Sequence, residues 1–180
     1  MTAAIANTFK TRWATKDDLP ALDELMKRAI DALQIEQIGA SHAIMGLDTQ
    51  LVEDGTYLVA ERDGVIAGSG GWSRRATLYG GDHSIDLRNP ELLDPAHDPA
   101  RIRAMYTNPD FARQGVGRLI LEGCENAAAQ AGFTSVELMA TLSGERLYKA
   151  SGYEAVEQVE AVAKGVSIPL IRMRKQLNFG

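Results

Sequence analysis

Residues 105–133 read MYTNPDFARQGVGRLILEGCENAAAQAGF, and the segment RQGVGR within them joins an apolar run to a helical pattern. A strand that leads through glycines into a helix leaves several backbone N–H groups at the helix N-terminus without partners. Gly115 and Gly117 keep side chains away from that backbone, while Arg113 and Arg118 add positive charge. The segment therefore predicts an anion site, above all for phosphate. A tight turn with solvated arginines is the alternative for glycines at this spacing.

Two familiar phosphate-binding loops do not fit these residues. A nucleoside triphosphate loop needs Lys-Ser or Lys-Thr after its second glycine, where this chain has Arg118 and Leu119. The dinucleotide fingerprint needs a third glycine at the position of Ile120. A different kind of phosphate site is indicated.

Length and composition favour one soluble domain spanning residues 1–180. The chain has 180 residues, 45% of them hydrophobic and 24% charged, with a net charge of −5. An acidic balance disfavours nonspecific binding to nucleic acid or to an anionic membrane. No apolar run reaches the length of about 18 residues that a membrane span needs. A lone cysteine, Cys124, cannot form an internal disulfide, so we expect a cytoplasmic protein.

The patterns on either side of the glycines alternate between strands and helices. Upstream, they predict a strand at 9–14, a helix beginning near 19, an ambiguous segment at 34–50 with a short helix near 42–45, and a hairpin turning at 62–64. Downstream, they predict a strand at 101–107, a turn at 108–110, a helix ending before 132, a strand at 135–141, a helix at 143–150, and strands at 154–162 and 166–175. This order predicts a mixed α/β fold.

Residues 78–98 have neither a helical nor a strand period and contain adjacent glycines, prolines and several aspartates. We expect a long loop at about 78–98. Loops of that length are uncommon in compact domains, and either a functional role or partial disorder would explain this one.

Three motifs occur in order along the chain: Tyr106-Thr107-Asn108-Pro109 at the end of a strand, Gly115-Val116-Gly117 before a helix, and Tyr148-Lys149-Ala150-Ser151-Gly152-Tyr153. Together they resemble the GNAT superfamily of N-acetyltransferases. The N-terminal TRWATKDDLPALDEL is also similar to the family's first strand and helix, so the resemblance covers most of the chain outside 78–98. It implies an α/β single-domain GNAT-like fold, a mixed central sheet of about six to seven strands flanked by helices.

The resemblance also implies a cofactor site for acetyl-CoA as co-substrate, with no metal. The pyrophosphate would bind the loop of Arg113, Gln114, Gly115, Val116, Gly117 and Arg118. The pantetheine arm would pair with the backbone of Met105, Tyr106 and Thr107, with the thioester carbonyl near an N–H of Tyr106 or Thr107. Ala112 stands where the family usually has Gln or Arg, and Thr141 or Ser143 replaces an asparagine that often contacts the cofactor.

Acyl transfer to an amine sets three chemical requirements. The carbonyl must be polarised, the amine must be neutral, and the departing thiolate needs a proton. By resemblance Tyr148 supplies that proton, since a phenol with a pKa of about 10 can donate at close range. A tyrosine that merely packs its ring on an amphipathic helix is the alternative.

The general base stays open at this point, because residues 102–107 hold no carboxylate. Candidates by charge and position are His42, Asp82, His83, Asp86, Asp94, His97 and Asp98. Cys124 could form an acyl-enzyme, but its helix face predicts a buried structural thiol. No Cys and His residues have the spacing of metal ligands.

The sequence is thus interpreted as an acetyl-CoA-dependent N-acetyltransferase acting on the primary amine of a small molecule, by direct attack in a ternary complex. A noncatalytic acyl-CoA-binding module and an enzyme that acetylates a protein N-terminus or lysine are the alternatives. The expected partners are acetyl-CoA and the amine, without nucleic acid or membrane. A homodimer through the two final strands is possible.

Overall fold

The computed structural model describes residues 8–32, 46–82, 89–163 and 165–177. The strands are β1 Lys10–Trp13, β2 Tyr57–Arg62, β3 Val65–Ser73, β4 Ala100–Thr107, β5 Ser135–Thr141, β6 Glu154–Ala163 and β7 Val166–Gln176. The α-helices are α1 Leu19–Asp31, α2 Thr49–Glu53, α3 Val116–Gln130 and α4 Glu145–Ala150. The strands form one seven-stranded sheet in the order β1-β2-β3-β4-β5-β7-β6, which confirms the predicted mixed α/β sheet.

Helices cover the two faces of this sheet. Alternate residues of a strand point to opposite faces, and β2 shows the division: Leu58 packs in the cluster that contains α3, whereas Val59 packs in the cluster that contains α1. α1 contributes a stripe at three- and four-residue spacings, made of Leu22, Leu25, Met26 and Ile30. The buried apolar residues of α3 are Val116, Ile120, Leu121, Cys124 and Ala128.

Local signals explain most of the boundaries. Asp63 and Gly64 have φ values of 52° and 77°, the left-handed conformation that a tight hairpin between β2 and β3 requires. Gly132, with φ of 97°, follows α3, and the N–H of Phe133 bonds back to the carbonyl of Ala128.

The structure differs from the sequence interpretation in two places. The turn expected at 108–110 is a short 3-10 helix at Pro109–Phe111. α2 lies partly in the segment left ambiguous, and it begins after Asp48, whose carboxylate accepts from the N–H of Gln50. The short helix considered at 42–45 lies outside the described residues. The described parts of 78–98 contain no helix, and their one isolated strand bridge joins Leu92 to Arg75.

Candidate active site

A gap opens in the middle of the sheet because β4 and β5 separate. The two strands run parallel and are paired only at Ala100–Val136 and Arg101–Glu137. On its other edge β4 stays paired with β3 as far as Thr107. Beyond Arg101 the edge of β4 that faces β5 is therefore without a strand partner. Side chains from several elements line this gap, among them those of Ile102, Met105, Tyr106, Leu138, Thr141 and Tyr148.

The N-terminus of α3 lies beside the end of β4. Gly115 is the N-cap residue, with φ of 80°, and Arg113 is also left-handed, with φ of 61°. The first hydrogen bond of the helix runs from the N–H of Leu119 to the carbonyl of Gly115, at 3.0 Å. The N–H groups of residues 116–118 consequently have no acceptor inside the helix. This arrangement suits an anion, as the sequence predicts.

The side chains of this loop have different surroundings. Those of Arg113 and Arg118 are exposed, so both charges can reach a ligand. The side-chain carbonyl of Gln114 accepts from Arg62 at 3.4 Å. Val116 is buried in the core, which leaves its backbone as the part that can contact a ligand.

Gly117 brings the loop against both the end of β4 and α4. A Cβ at this position would lie 2.9 Å from Leu147 of α4 and 3.9 Å from the hydroxyl of Thr107. The glycine thus allows the helix N-terminus to approach the strand end and the helix that carries Tyr148.

Tyr148 is buried, and it lines the gap. Its ring packs edge-on against Tyr153, with centroids 5.8 Å apart. No described residue hydrogen-bonds to its hydroxyl. Burial raises the pKa of Tyr148 to about 12, and the nearby Cys124 adds to this effect. The phenol is thus neutral at ordinary pH, with its proton available to a group in the gap.

A polar cluster that the sequence interpretation missed contacts Tyr148 through the ring of Tyr153. The hydroxyl of Tyr153 donates to Glu125 at 3.0 Å, and Lys175 donates to the other oxygen of that carboxylate at 2.7 Å. Glu125 lies one position after Cys124 on the buried face of α3. An acidic residue next to that apolar stripe was the available signal.

A second missed pair forms the opposite wall. Arg103 of β4 is buried and donates to the carboxylate of Asp48 and to the carbonyl of Gly80. Tyr106 donates to the carbonyl of Gly46 at 3.2 Å. These bonds join the segments around 46–48 and 80 to the strand at the gap. An arginine inside the apolar run of β4 was the sequence signal for a buried partner.

Comparison with known proteins now identifies the family. The family model described as an acetyltransferase (GNAT) domain matches residues 26–177. The chain belongs to the GNAT acetyltransferase family. Enzymes of this family use acetyl-CoA as co-substrate, in agreement with the sequence prediction.

Solved structures share the GNAT fold at low sequence identity. A GCN5-related N-acetyltransferase from Rhodopseudomonas palustris has 19% identity and a TM-score of 0.69, covering 97% of this chain and 99% of its own. The yncA protein of Salmonella typhimurium, determined with its cofactor acetyl-CoA, has 20% identity and a TM-score of 0.67, covering 96% of each chain. The ribosomal-protein-alanine N-acetyltransferase of Brucella melitensis has 20% identity and a TM-score of 0.67, covering 93% of this chain and 99% of its own. The search of curated proteins finds no match.

None of the base candidates that the structure of this GNAT chain describes lines the gap. His97 and Asp94 form an exposed pair at 2.7 Å, and with Asp98 they precede β4, at the end opposite the α3 N-terminus. Asp82 accepts from the backbone N–H of Thr49 at 2.9 Å. His42, His83 and Asp86 lie outside the described residues. Among the described residues that line the gap, none carries a carboxylate or an imidazole.

Two further predicted positions have clear locations. Ser143 follows β5, and its hydroxyl is 3.0 Å from that of Thr141, the last residue of β5. Of these two residues, Thr141 lines the gap. Cys124 is fully buried, with its sulfur 3.5 Å from the carbonyl of Gly70, and burial raises its thiol pKa. That environment fits the structural thiol rather than an acyl carrier.

The sequence predicts neither a membrane-spanning segment nor a metal site, and the structure describes residues 8–32, 46–82, 89–163 and 165–177. No helix there is long and apolar enough to span a bilayer. No group of three or more His, Cys, Asp or Glu side chains there is arranged to hold a metal ion.

Proposed function

We propose that the protein is an acetyl-CoA-dependent N-acetyltransferase that acetylates the primary amine of a small molecule, by direct attack in a ternary complex. The observation that carries this proposal is convergence at one gap. The unpaired edge of β4 and Tyr148 line it, and the N-terminus of α3 lies next to it, where Gly117 approaches Thr107 at the end of β4 and Leu147 of α4. Anion binding, strand-like pairing and proton donation are the functions that an acetyl-CoA enzyme needs there.

The proposed cofactor site has two parts. Backbone N–H groups of residues 113–118 bind the pyrophosphate, and the exposed charges of Arg113 and Arg118 reinforce them. The backbone of Met105, Tyr106 and Thr107 pairs with the pantetheine arm as an added strand would. Ser143 is proposed as a further cofactor contact.

The proposed reaction uses the side chains already in place. The amine nitrogen attacks the thioester carbon, and a C–N bond forms as the C–S bond breaks. Tyr148 gives its phenolic proton to the departing sulfur and regains a proton from solvent, and the surplus proton of the attacking amine passes to water. Water is assigned this role because the described lining of the gap offers no carboxylate or imidazole.

A small acceptor is favoured by the wall opposite Tyr148. Leu78, Tyr79 and Gly80 border the gap, and Arg103 holds Gly80 by its carbonyl. A wall fixed in this way limits the space on the acceptor side, whereas a protein substrate would need an open groove. One domain over residues 1–180, a cytoplasmic location and a homodimer stay predictions.

The first experiment is a calorimetric titration with acetyl-CoA, compared with a pantetheine analogue that lacks the pyrophosphate. We expect binding to acetyl-CoA and a loss of affinity of at least tenfold for the analogue, because the charged loop contacts are lost. Equal affinities would contradict the role of the 113–118 loop. No binding at millimolar acetyl-CoA would remove the proposed function.

The second experiment measures CoA release in a panel of small primary amines and short peptides, with wild type and Tyr148→Phe. We expect release with a small amine, and at least a hundredfold lower kcat in Tyr148→Phe with acetyl-CoA affinity retained. CoA release only with peptides would mean that the acceptor is a protein N-terminus or lysine and not a small molecule. Binding without release in the whole panel would favour the noncatalytic module.

A further inference from the structure

β4 contains a bulge beside the gap. Gly71 of β3 pairs with Arg103, and Ser69 pairs with Tyr106, so Gly70 alone stands opposite both Ala104 and Met105. Ala104 has φ of 53°, a left-handed conformation that is uncommon for a residue with a Cβ atom. A conformation of that kind persists only where neighbouring groups hold it.

β3 makes room for the bulge. A Cβ atom at Gly70 would lie 2.1 Å from the sulfur of Met105 and 2.7 Å from a methyl group of Ile120. Only glycine leaves space at this position for Met105 on one side and α3 on the other. Space alone does not fix the direction of the Ala104 carbonyl, so another group must hold it.

Tyr57 lies on β2, which is separated from β4 by β3, and its side chain fixes the direction of the Ala104 carbonyl. Its side chain is buried, and its hydroxyl donates to the carbonyl of Ala104 at 3.0 Å. The hydroxyl is also 2.9 Å from that of Ser69, which therefore acts as donor to the tyrosine oxygen. Burial raises the pKa of Tyr57, so its proton stays in place and the bond to Ala104 persists at ordinary pH.

The peptide bond carries this constraint to the gap. All peptide bonds of the described chain are trans, so the carbonyl of Ala104 and the N–H of Met105 point in opposite directions. Tyr57 approaches from the β3 side and draws the carbonyl that way. The N–H of Met105 is then directed toward β5, where β4 has no strand partner and Met105 lines the gap.

We propose that Tyr57 is a positioning residue, which acts through the Ala104 carbonyl to aim the N–H of Met105 at the thioester carbonyl, in place of the N–H of Tyr106 or Thr107 that the family resemblance implied. This inference rests on the proposed function and deepens it. A donor fixed before the substrate arrives stabilises the negative charge that grows on the carbonyl oxygen during attack. Tyr57 itself touches neither the substrate nor the reacting atoms.

The test is the infrared carbonyl band of bound acetyl-CoA, labelled with ¹³C at the thioester carbonyl. In the wild type a hydrogen bond to the oxygen lowers the frequency of this band relative to free acetyl-CoA. Tyr57→Phe removes only the hydroxyl, and we expect most of the shift to be lost. Ser69→Ala is the matched control, since it removes the second hydroxyl but keeps the bond from Tyr57 to Ala104 and should retain the shift.

Kinetics give a second readout. With an amine found in the panel, Tyr57→Phe should lower kcat about tenfold or more while the KM for acetyl-CoA changes less than twofold. A general loosening of the fold would instead weaken cofactor binding. Circular dichroism of both variants checks that they are folded.

The outcomes separate this inference from the proposed function. A wild type that does not bind acetyl-CoA overturns both. Binding with an unshifted band, or with the same shift in Tyr57→Phe, overturns only the positioning role. Should Tyr57→Phe not fold, a fluorinated tyrosine at position 57 keeps the ring and is a stronger donor. The thioester carbonyl frequency of bound acetyl-CoA must then fall below that in the wild type, and an unchanged band contradicts the proposal.

Discussion

Tyr148 combines a buried ring with a hydroxyl that is available for hydrogen bonding. The ring is packed against Tyr153 and the residue lines the gap, yet no described residue hydrogen-bonds to its hydroxyl. A tyrosine that served only for packing would usually bond its buried hydroxyl to a neighbour, as Tyr57, Tyr106 and Tyr153 do here. This exception supports the proposed role of Tyr148 as the proton donor.

The pKa of Tyr148 predicts the shape of the pH profile. Because burial raises this pKa to about 12, the phenol keeps its proton from pH 7 to above pH 10. Since the folded value lies above the usual one, the associated stability is complete below about pH 10 and is lost as the pH rises toward the folded value. We therefore expect kcat to rise or stay level up to about pH 10, as the amine loses its proton.

The measurement is kcat against pH for wild type and Tyr148→Phe, with the amine identified by CoA release. A descending limb with a midpoint below about pH 10 that is present in wild type and absent in Tyr148→Phe would contradict this assignment. A descending limb that is present in both proteins would instead report the titration of another group.

The sequence alone could suggest Tyr148 and the glycine loop as site residues because their motifs are contiguous. The supporting residues could not be found in that way. Tyr57 and Ala104 are 47 positions apart, Asp48 and Arg103 are 55 apart, and Glu125 and Lys175 are 50 apart. Their pairing follows from the order of the strands, which no local pattern contains.

At the scale of single elements, the loop before α3 depends on one backbone conformation. Gly115 has φ of 80°, and a Cβ atom at this position would meet no other atom within 4 Å. An added methyl group would therefore be strained by its own backbone and not by a neighbour. The same description applies to Gly55, with φ of 72°, which lies between α2 and β2.

These two glycines provide a matched pair of variants. We expect Gly115→Ala and Gly55→Ala to destabilise the fold similarly, by about 1–2 kcal/mol each, because each places an alanine in the left-handed backbone conformation. Only Gly115→Ala should also weaken acetyl-CoA binding, by tenfold or more, since it disturbs the N–H groups of the loop. Denaturant unfolding and calorimetry measure the two effects. Equal loss of affinity in both variants would show that the loop has no special role.

Elements with a clear period or turn signal were predictable, and elements without such a signal were not. The helix α3, the β2–β3 hairpin and the strand β5 follow from periodicity and turn residues. α2 has only five residues, fewer than two helical turns, and shows no period to detect. The bulge at Ala104 depends on Gly70 and Tyr57 across the sheet and leaves no mark within β4 itself.

At the scale of the whole molecule, the sheet consists of two parts joined by little strand pairing. Between β4 and β5 the register is limited to Ala100–Val136 and Arg101–Glu137. α3 packs mainly on β2, β3 and β4, but its Glu125 bonds to Lys175 of β7 and to Tyr153 just before β6. This cluster therefore links the two parts of the sheet behind the gap.

Glu125→Gln tests how much this link contributes. The substitution keeps the size of the side chain but leaves the ammonium group of Lys175 without its counter-charge, in a cluster where the Glu125 side chain is 7% exposed and that of Lys175 is 26% exposed. We expect a loss of about 1–3 kcal/mol in the free energy of unfolding. Glu145→Gln is the control: it removes the charge of a pair in which the Lys149 side chain is 59% exposed, and it should cost less than about 0.5 kcal/mol. Urea unfolding of both variants decides the matter, because similar losses would mean that Glu125 stabilises the molecule no more than a surface pair does.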